Sequence, residues 1–178
     1  MTTPVTVDEP TDADASALGA MHLRSWHETY DEAPGIGAAW VDEHIGFITS
    51  PPADAFRVRT FAAQRADPSR TYYRVARRGE VVVGFVHASL PSQDQDDDGD
   101  AKLEALYVLR SEHGTGLADR LMTSALAWAD GRAVWLEASP LSVRAVPFYR
   151  RHGFEPTGET GVFRHRVLTV TLRRPADA

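Results

Sequence analysis

A single mixed α/β domain is the fold class this sequence predicts, and three observations predict it. Residues 71–90, "TYYRVARRGEVVVGFVHASL", alternate apolar and polar side chains about an "RRGE" turn, the period of a β-hairpin. Residues 11–30 and 117–130 instead carry apolar side chains at helical spacing. The other segments switch between the two periods without an internal repeat or a linker, so one domain accounts for residues 1–178, with a core over about 5–173.

Taken in order, residues 5–7 make a short first strand. Thr11 is a natural N-cap for the helix that follows, with Asp14 three residues on as a weaker relative of the capping-box glutamate. Leu18, His22, Trp26 and Tyr30 fall on one side of that helix, with Ala15 and Thr29 between them. "DEAPGIG" breaks it, and "PADAFRVRTFAAQRA" predicts a further helix closed by "DPS". After the hairpin, residues 94–100 hold five aspartates, a charge block that ordinarily makes a solvated loop. An EF-hand calcium loop would need flanking helices and a glutamate at its twelfth position, where position 105 is alanine.

Residues 102–109 form the next strand. Leu117, Leu121, Ala125 and Trp128 make the stripe of the helix over 117–130, and Gly131 suits its C-cap. A strand at 133–138, a short helix, and strands near 154–159 and 164–174 complete the domain.

Apolar residues are 43% of the chain and charged residues 25%, the usage of a soluble globular protein with a sizeable core. The net charge of −6 argues against a nucleic-acid partner, because phosphate contacts need a basic surface. It is compatible with a cationic substrate, but a solvated acidic surface is the favoured reading. The absence of cysteine excludes disulfides, thiolate metal ligands and a cysteine nucleophile, and makes a reducing cytoplasm the expected compartment. "MTTPVTVDEP" lacks the basic and apolar segments of a signal peptide, and no apolar run approaches the roughly 20 residues of a membrane span. The seven histidines show no H-x-x-x-H or H-E-x-x-H spacing, so no metal is expected.

The stretch that carries chemistry is "LYVLRSEHGTGLADRLM", residues 106–122: a strand, a glycine turn and a helix. A helix N-terminus exposes unpaired N–H groups and a partial positive charge. Glycines permit positive φ and let an anion approach the backbone. Gly114 and Gly116 therefore make either an anion cradle or a plain turn. A P-loop would need Lys-Ser/Thr after the glycines, where Leu117 and Ala118 stand. A dinucleotide turn needs G-x-G-x-x-G directly after the first strand. Here the run ends in Asp119 and "RSEH" intervenes, although Glu137 lies about 20 residues on, where a ribose-binding acid sits.

His113-Gly114-Thr115-Gly116-Leu117-Ala118 resembles the pyrophosphate loop, Q/R-x-x-G-x-G/A, of the GCN5-related N-acetyltransferase (GNAT) family, with His113 in place of Gln or Arg. A second segment, "SVRAVPFYRRHGF" at 142–154, is similar to the family's N-x-x-A-x-x-F-Y-x-x-x-G-F. Ala145, Phe148, Tyr149, Gly153 and Phe154 match, and Ser142 replaces an Asn that it can equal as a helix cap. Pro147 lacks an N–H and belongs in a first helical turn, so this helix begins near Ala145. The two motifs stand in the family's order with a strand between them, and the element order β-α-α-β-β-β-α-β-α-β-β over residues 5–173 also resembles it.

The resemblance implies an α/β (α+β) domain with a mixed, mostly antiparallel sheet of about seven strands, splayed between strands 4 and 5 and flanked by about four helices. It implies acetyl-CoA as co-substrate, no metal, and transfer of the acetyl group to a primary amine of a small molecule or peptide. Without a cysteine to carry the acetyl group, direct attack in a ternary complex is expected. The pantetheine arm would lie between residues 102–109 and 133–138, against Leu106, Tyr107 and Val108, with a backbone N–H near Tyr107 and Val108 facing the thioester carbonyl. The pyrophosphate would meet His113, Gly114, Thr115, Gly116, Leu117 and Ala118, while Ser142, Phe148 and Tyr149 complete the cofactor contacts. Whether His113 touches phosphate or only starts the turn stays open.

Tyr149 matches the family's general acid for the leaving thiolate. Glu104 is a candidate base, with Lys102 two residues earlier on the same face and Glu137 on the neighbouring strand as its rival. Trp26, His27, Tyr30 and His44, with Glu137, are acceptor-site candidates, and core packing is the competing reading for Trp26 and Tyr30. The implied partner is the amine substrate, with no nucleic acid and no membrane, and a homodimer is compatible with the resemblance. A non-catalytic acetyl-CoA-binding sensor or interaction module is the alternative, and a dinucleotide oxidoreductase a more distant one.

Overall fold

The alternation at 71–90 is realised as a hairpin of β2 (Thr71–Arg78) and β3 (Val81–Ser89), turned at Gly79 with φ 62°. The computed structural model describes residues 3–91 and 99–177. Residues 94–98, and with them the question of a calcium loop, lie outside the described residues.

The remaining strands are β1 (Val5–Asp8), β4 (Ala101–Val108), β5 (Val134–Ala138), β6 (Glu155–Phe163) and β7 (Val167–Arg174). They form one seven-stranded sheet in the order β1-β2-β3-β4-β5-β7-β6. Pairing is antiparallel except between β4 and β5.

Among the described residues five α-helices flank the sheet, against about four expected: α1 (Ala15–Tyr30), α2 (Gly37–Ile45), α3 (Pro51–Ala66), α4 (Leu117–Ala129) and α5 (Ala145–Arg151). The additional one is α2, which follows the break at residues 31–37 in a stretch to which the sequence assigned no element. It has only nine residues, too few to establish a stripe. It is held by tertiary packing, because Trp40, Val41 and Ile45 close a second core with Trp26 and Tyr30 of α1, Ile48 and Val167.

Thr11 and Asp14 do form a capping box, around a 3-10 turn at Asp12–Asp14 that leads into α1. The end of α4 differs slightly from expectation: Asp130, φ 52°, is the left-handed cap and Gly131 follows it. The last strand begins at Val167 rather than 164, because Arg164 and His165 take positive φ in the turn from β6.

Strand alternation assigns the two faces of the sheet. Tyr73, Phe85 and His87 stack along one face, where Phe61 of α3 and His22 of α1 meet them. Tyr72 and Gly84 point to the other face, toward Trp128 and Leu117 of α4. Gly84 has no room for a side chain, since a Cβ there would lie 2.9 Å from the Tyr107 carbonyl oxygen.

Two irregularities open the centre of the sheet. β4 and β5 pair only at Ala101 with Val134 and Lys102 with Trp135. Between β3 and β4, His87 faces Ala105 and Ala88 faces Leu103, so Glu104 is a bulged residue with no partner across the ladder. Beyond Lys102 the strands diverge, and β4 presents an unpaired edge to the gap.

Candidate active site

The gap is the floor of a cleft of about 1150 Å³. Residues 103–108 line it from β4, and residues 136–138 of β5 with Ser139 just beyond it line the other side. The glycine turn, the start of α5 and the end of α1 complete its walls.

The glycine turn is anchored from two directions. Glu112, 3% exposed, receives the Arg78 guanidinium through Nε at 3.0 Å and Nη2 at 2.7 Å. Its carbonyl accepts the Thr115 N–H at 3.3 Å and the Thr115 hydroxyl at 2.8 Å. From α1, the Glu28 carboxylate accepts the Arg110 N–H at 2.6 Å, and the Arg110 guanidinium donates to the Glu28 carbonyl.

Gly114 (φ 79°) and Gly116 (φ 82°) then turn the chain into α4, with open space where their side chains would be. Among the described residues, the N–H groups of Gly114, Gly116, Ala118 and Asp119 find no protein acceptor, and all four residues line the cleft. Four open donors at a helix N-terminus, with Arg110, Arg144 and Arg151 on the same walls, fit a diphosphate. The unpaired edge of β4 fits an amide-bearing arm, which pairs as a strand would. Of the carboxylates beside these donors, Asp119 is held by His152 Nε2 at 2.9 Å and Glu112 by the Arg78 guanidinium. These residues therefore suit coenzyme A.

The side chains around the gap are tuned by burial. Tyr149 is buried, and burial, reinforced by Tyr30, pushes its hydroxyl well above the usual phenol range. Burial raises Tyr107 in the same way, with Tyr30 and Tyr149 adding to it. Tyr30 is also raised by burial, and Ser139 beside it offsets part of the shift. Three hydroxyls thus keep their protons beside one cleft. His113 is lowered, first by burial and then by Arg144.

Glu104 accepts the Ser89 hydroxyl at 2.9 Å and pairs with Lys102 Nζ at 3.2 Å. Glu137 faces the same cleft from β5, so the two candidate bases stand on opposite strands of the gap.

Most residues singled out from sequence converge here: Glu104, Leu106, Tyr107, Val108, His113, Gly114, Gly116, Ala118, Ser142, Phe148 and Tyr149 line the cleft, with Tyr30 and Glu137. Thr115 turns its hydroxyl back to Glu112, and Leu117 is buried beneath the loop. Three acceptor candidates lie elsewhere. Trp26 is buried behind Tyr30, with Nε1 donating to His22 Nε2 at 3.1 Å. His27 bridges Asp31 at 2.8 Å and Asp42 at 3.2 Å, tying α1 to α2. His44 stacks on Trp40 within α2.

Sequence reasoning missed Glu28, Glu112 and Ser139. No sequence signal could have paired Arg78 with Glu112 or Glu28 with Arg110, since each contact joins distant segments. Among the described residues, no cluster of His, Cys, Asp or Glu is arranged to hold a metal ion, and no helix is long and apolar enough to cross a membrane.

Comparison with known proteins agrees with this geometry. The acetyltransferase (GNAT) family matches residues 33–154, a span that contains both motifs. An uncharacterized N-acetyltransferase of Mycobacterium tuberculosis is 34% identical over 125 residues, 68% of this chain and 74% of its own. Its counterpart in Mycobacterium bovis matches equally.

Among solved structures, the PaiA N-acetyltransferase of Thermoplasma acidophilum in complex with coenzyme A superposes with a TM-score of 0.78 at 14% identity, covering 97% of this chain and 99% of that one. A GNAT-family acetyltransferase of Streptococcus pneumoniae gives 0.71 at 18% identity, covering 98% and 100%. These likenesses concern the fold. A mostly antiparallel sheet split by one short parallel pair also lacks the βαβ run of a dinucleotide-binding oxidoreductase. With both motifs on one cleft and the family match spanning it, the chain belongs to the GNAT family of acetyltransferases.

Proposed function

We propose that the protein is an acetyl-CoA-dependent N-acetyltransferase that acts on a primary amine by direct transfer in a ternary complex. The observation that carries the reading is the group of four open N–H donors at the start of α4, on the same cleft as Tyr149 and the β4–β5 gap. Bound acetyl-CoA would supply the activated thioester.

The residues then divide the work. The N–H groups of the glycine turn neutralise the diphosphate, and the β4 edge aligns the arm. A backbone N–H near Tyr107 and Val108 stabilises charge growing on the carbonyl oxygen, a donor worth about 2.7–4 kcal/mol in the transition state. Glu104, oriented by Ser89, takes a proton from the incoming ammonium so that the amine attacks neutral. Glu137 stands across the gap as the second carboxylate facing a cationic acceptor.

Tyr149 donates to the leaving sulfur. Its burial makes it a weaker acid than a free phenol, but the same dry surroundings raise the basicity of the thiolate it serves. The donor therefore acts first as a hydrogen bond and gives up its proton as charge on sulfur grows.

The test is release of free CoA thiol from acetyl-CoA across a panel of primary amines, beside calorimetric titration with acetyl-CoA. Amine-dependent thiol release is expected. Tight binding with no release across a broad panel would replace the enzyme with a sensor or interaction module.

A further inference from the structure

Tyr30, the last residue of α1, brings to the cleft a hydroxyl that the acetyl transfer leaves without a task. The residue is 6% exposed, and its ring centre lies 4.7 Å from that of Trp26. Both belong to the second core, where Trp40, Val41 and Ile45 of α2 pack with them. A side chain locked in this way holds its hydroxyl in one place, as a preorganised donor requires. Ser139 is also buried; its Oγ accepts the Leu141 N–H at 3.2 Å, and its own hydroxyl donates to the Tyr30 oxygen. A phenol oxygen that accepts from Ser139 still has its own proton to give, and burial keeps that proton in place. The neighbours show where it can be given. Tyr107 of β4 packs against the same second core, and Tyr149 lines the same cleft. Burial first, and then Tyr30, raises the hydroxyls of both, so the three side chains share one neighbourhood. The Tyr107 ring is itself spent on packing, 4.3 Å from His22 and 5.6 Å from Phe85. Tyr30 thus stands beside the strand residue whose backbone meets the thioester carbonyl and beside the donor to sulfur.

We propose that Tyr30 is a catalytic residue, a second oxyanion donor whose hydroxyl hydrogen-bonds the thioester carbonyl oxygen beside the β4 backbone N–H. The inference rests on the transferase reading above. The amine nitrogen bonds to the acetyl carbon, and the carbonyl π pair moves onto oxygen, where the two donors hold the charge. The pair then re-forms the carbonyl as the carbon–sulfur bond breaks, and sulfur takes the Tyr149 proton. The nitrogen gives up one proton as the amide forms, and that proton, through solvent, restores Tyr149. Tyr30 keeps its own proton throughout. One amine and one thioester give one amide and one thiol.

The experiment is isotope-edited infrared spectroscopy of acetyl-CoA labelled at its carbonyl carbon and bound to the full chain without amine, beside single-turnover kinetics with an amine from the panel. The carbonyl stretch should move to lower frequency on binding, and Tyr30→Phe should reverse part of that shift. The same variant should slow the single turnover about 10²-fold, with little change in melting temperature or in the Kd for acetyl-CoA. Its loss should multiply with that of Tyr149→Phe, because the two hydroxyls serve different atoms. An identical stretch in wild type and Tyr30→Phe would overturn the inference, as would an unchanged rate. So would a Tyr30→Phe loss that vanishes in the Tyr149→Phe background, which would assign Tyr30 to Tyr149 rather than to the carbonyl. The two claims separate cleanly. Turnover with the stretch unmoved by Tyr30→Phe sinks the second donor alone. Binding with the stretch moved but no turnover across the panel sinks the transferase reading and leaves the Tyr30 contact standing, and no binding sinks both.

Discussion

Tyr149 keeps its proton because burial penalises the phenolate and the neighbouring Tyr30 hydroxyl would share that penalty. Removing one oxygen from this residue leaves its packing against Phe148 and Phe154 intact. Tyr149→Phe should therefore lower kcat, by up to about 10²-fold, with little change in the Kd for acetyl-CoA. Stopped-flow or steady-state kinetics beside calorimetry would check it, and an unchanged kcat would remove the proton-donor role. The place of Tyr149 on the cleft was legible from its motif alone. Ser139 and Glu28 were not, because a residue that acts through a contact made by the fold carries no local signature.

At the scale of the element, the glycine turn is a backbone device. A Cβ on Gly116 would touch nothing, yet φ 82° is a left-handed conformation that costs an L-residue about 1–2 kcal/mol. Gly116→Ala should relieve that strain by tilting the loop, turning its open N–H groups away from the diphosphate. Acetyl-CoA affinity should fall about tenfold, the equivalent of about 1.4 kcal/mol, while thermal stability changes little. Calorimetric titration and a melting curve on the same sample would show whether binding and stability separate in this way. The turn, the α4 stripe and the α5 start near Ala145 were readable because periodicity and capping are local. α2 was not, since nine residues gain their helix from the second core rather than from their own pattern.

At the scale of the whole molecule, the cores hold neutral histidines whose protonation opposes folding. His22 packs against Phe85 and Tyr107 and accepts the Trp26 N–H, and burial pushes its pKa down to about 3. His87 is pushed down by burial to about 4, with Glu104 partly offsetting it. In the unfolded chain both titrate near 6.5, so below that pH the unfolded state binds more protons. Stability is full above about pH 6.5 and falls as pH drops toward the folded values. At pH 5 each histidine costs up to about 2 kcal/mol. The thermal midpoint should fall between pH 7.5 and 5, and His22→Gln should flatten the fall. A wild-type midpoint independent of pH over that range would contradict the assignment.

The sequence by itself determined the fold class, the family resemblance and the two motifs, the glycine turn and the Tyr149 segment. Each of these rests on short-range periodicity or on residues fixed within one motif. Only the tertiary structure decided which side chains share the cleft. It set Glu104 on a bulge opposite Glu137, moved Trp26, His27 and His44 out of the site, and tied the turn to Arg78 and Glu28. Those placements follow from strand register, a bulge and the divergence of two strands, which are long-range properties that no local pattern encodes.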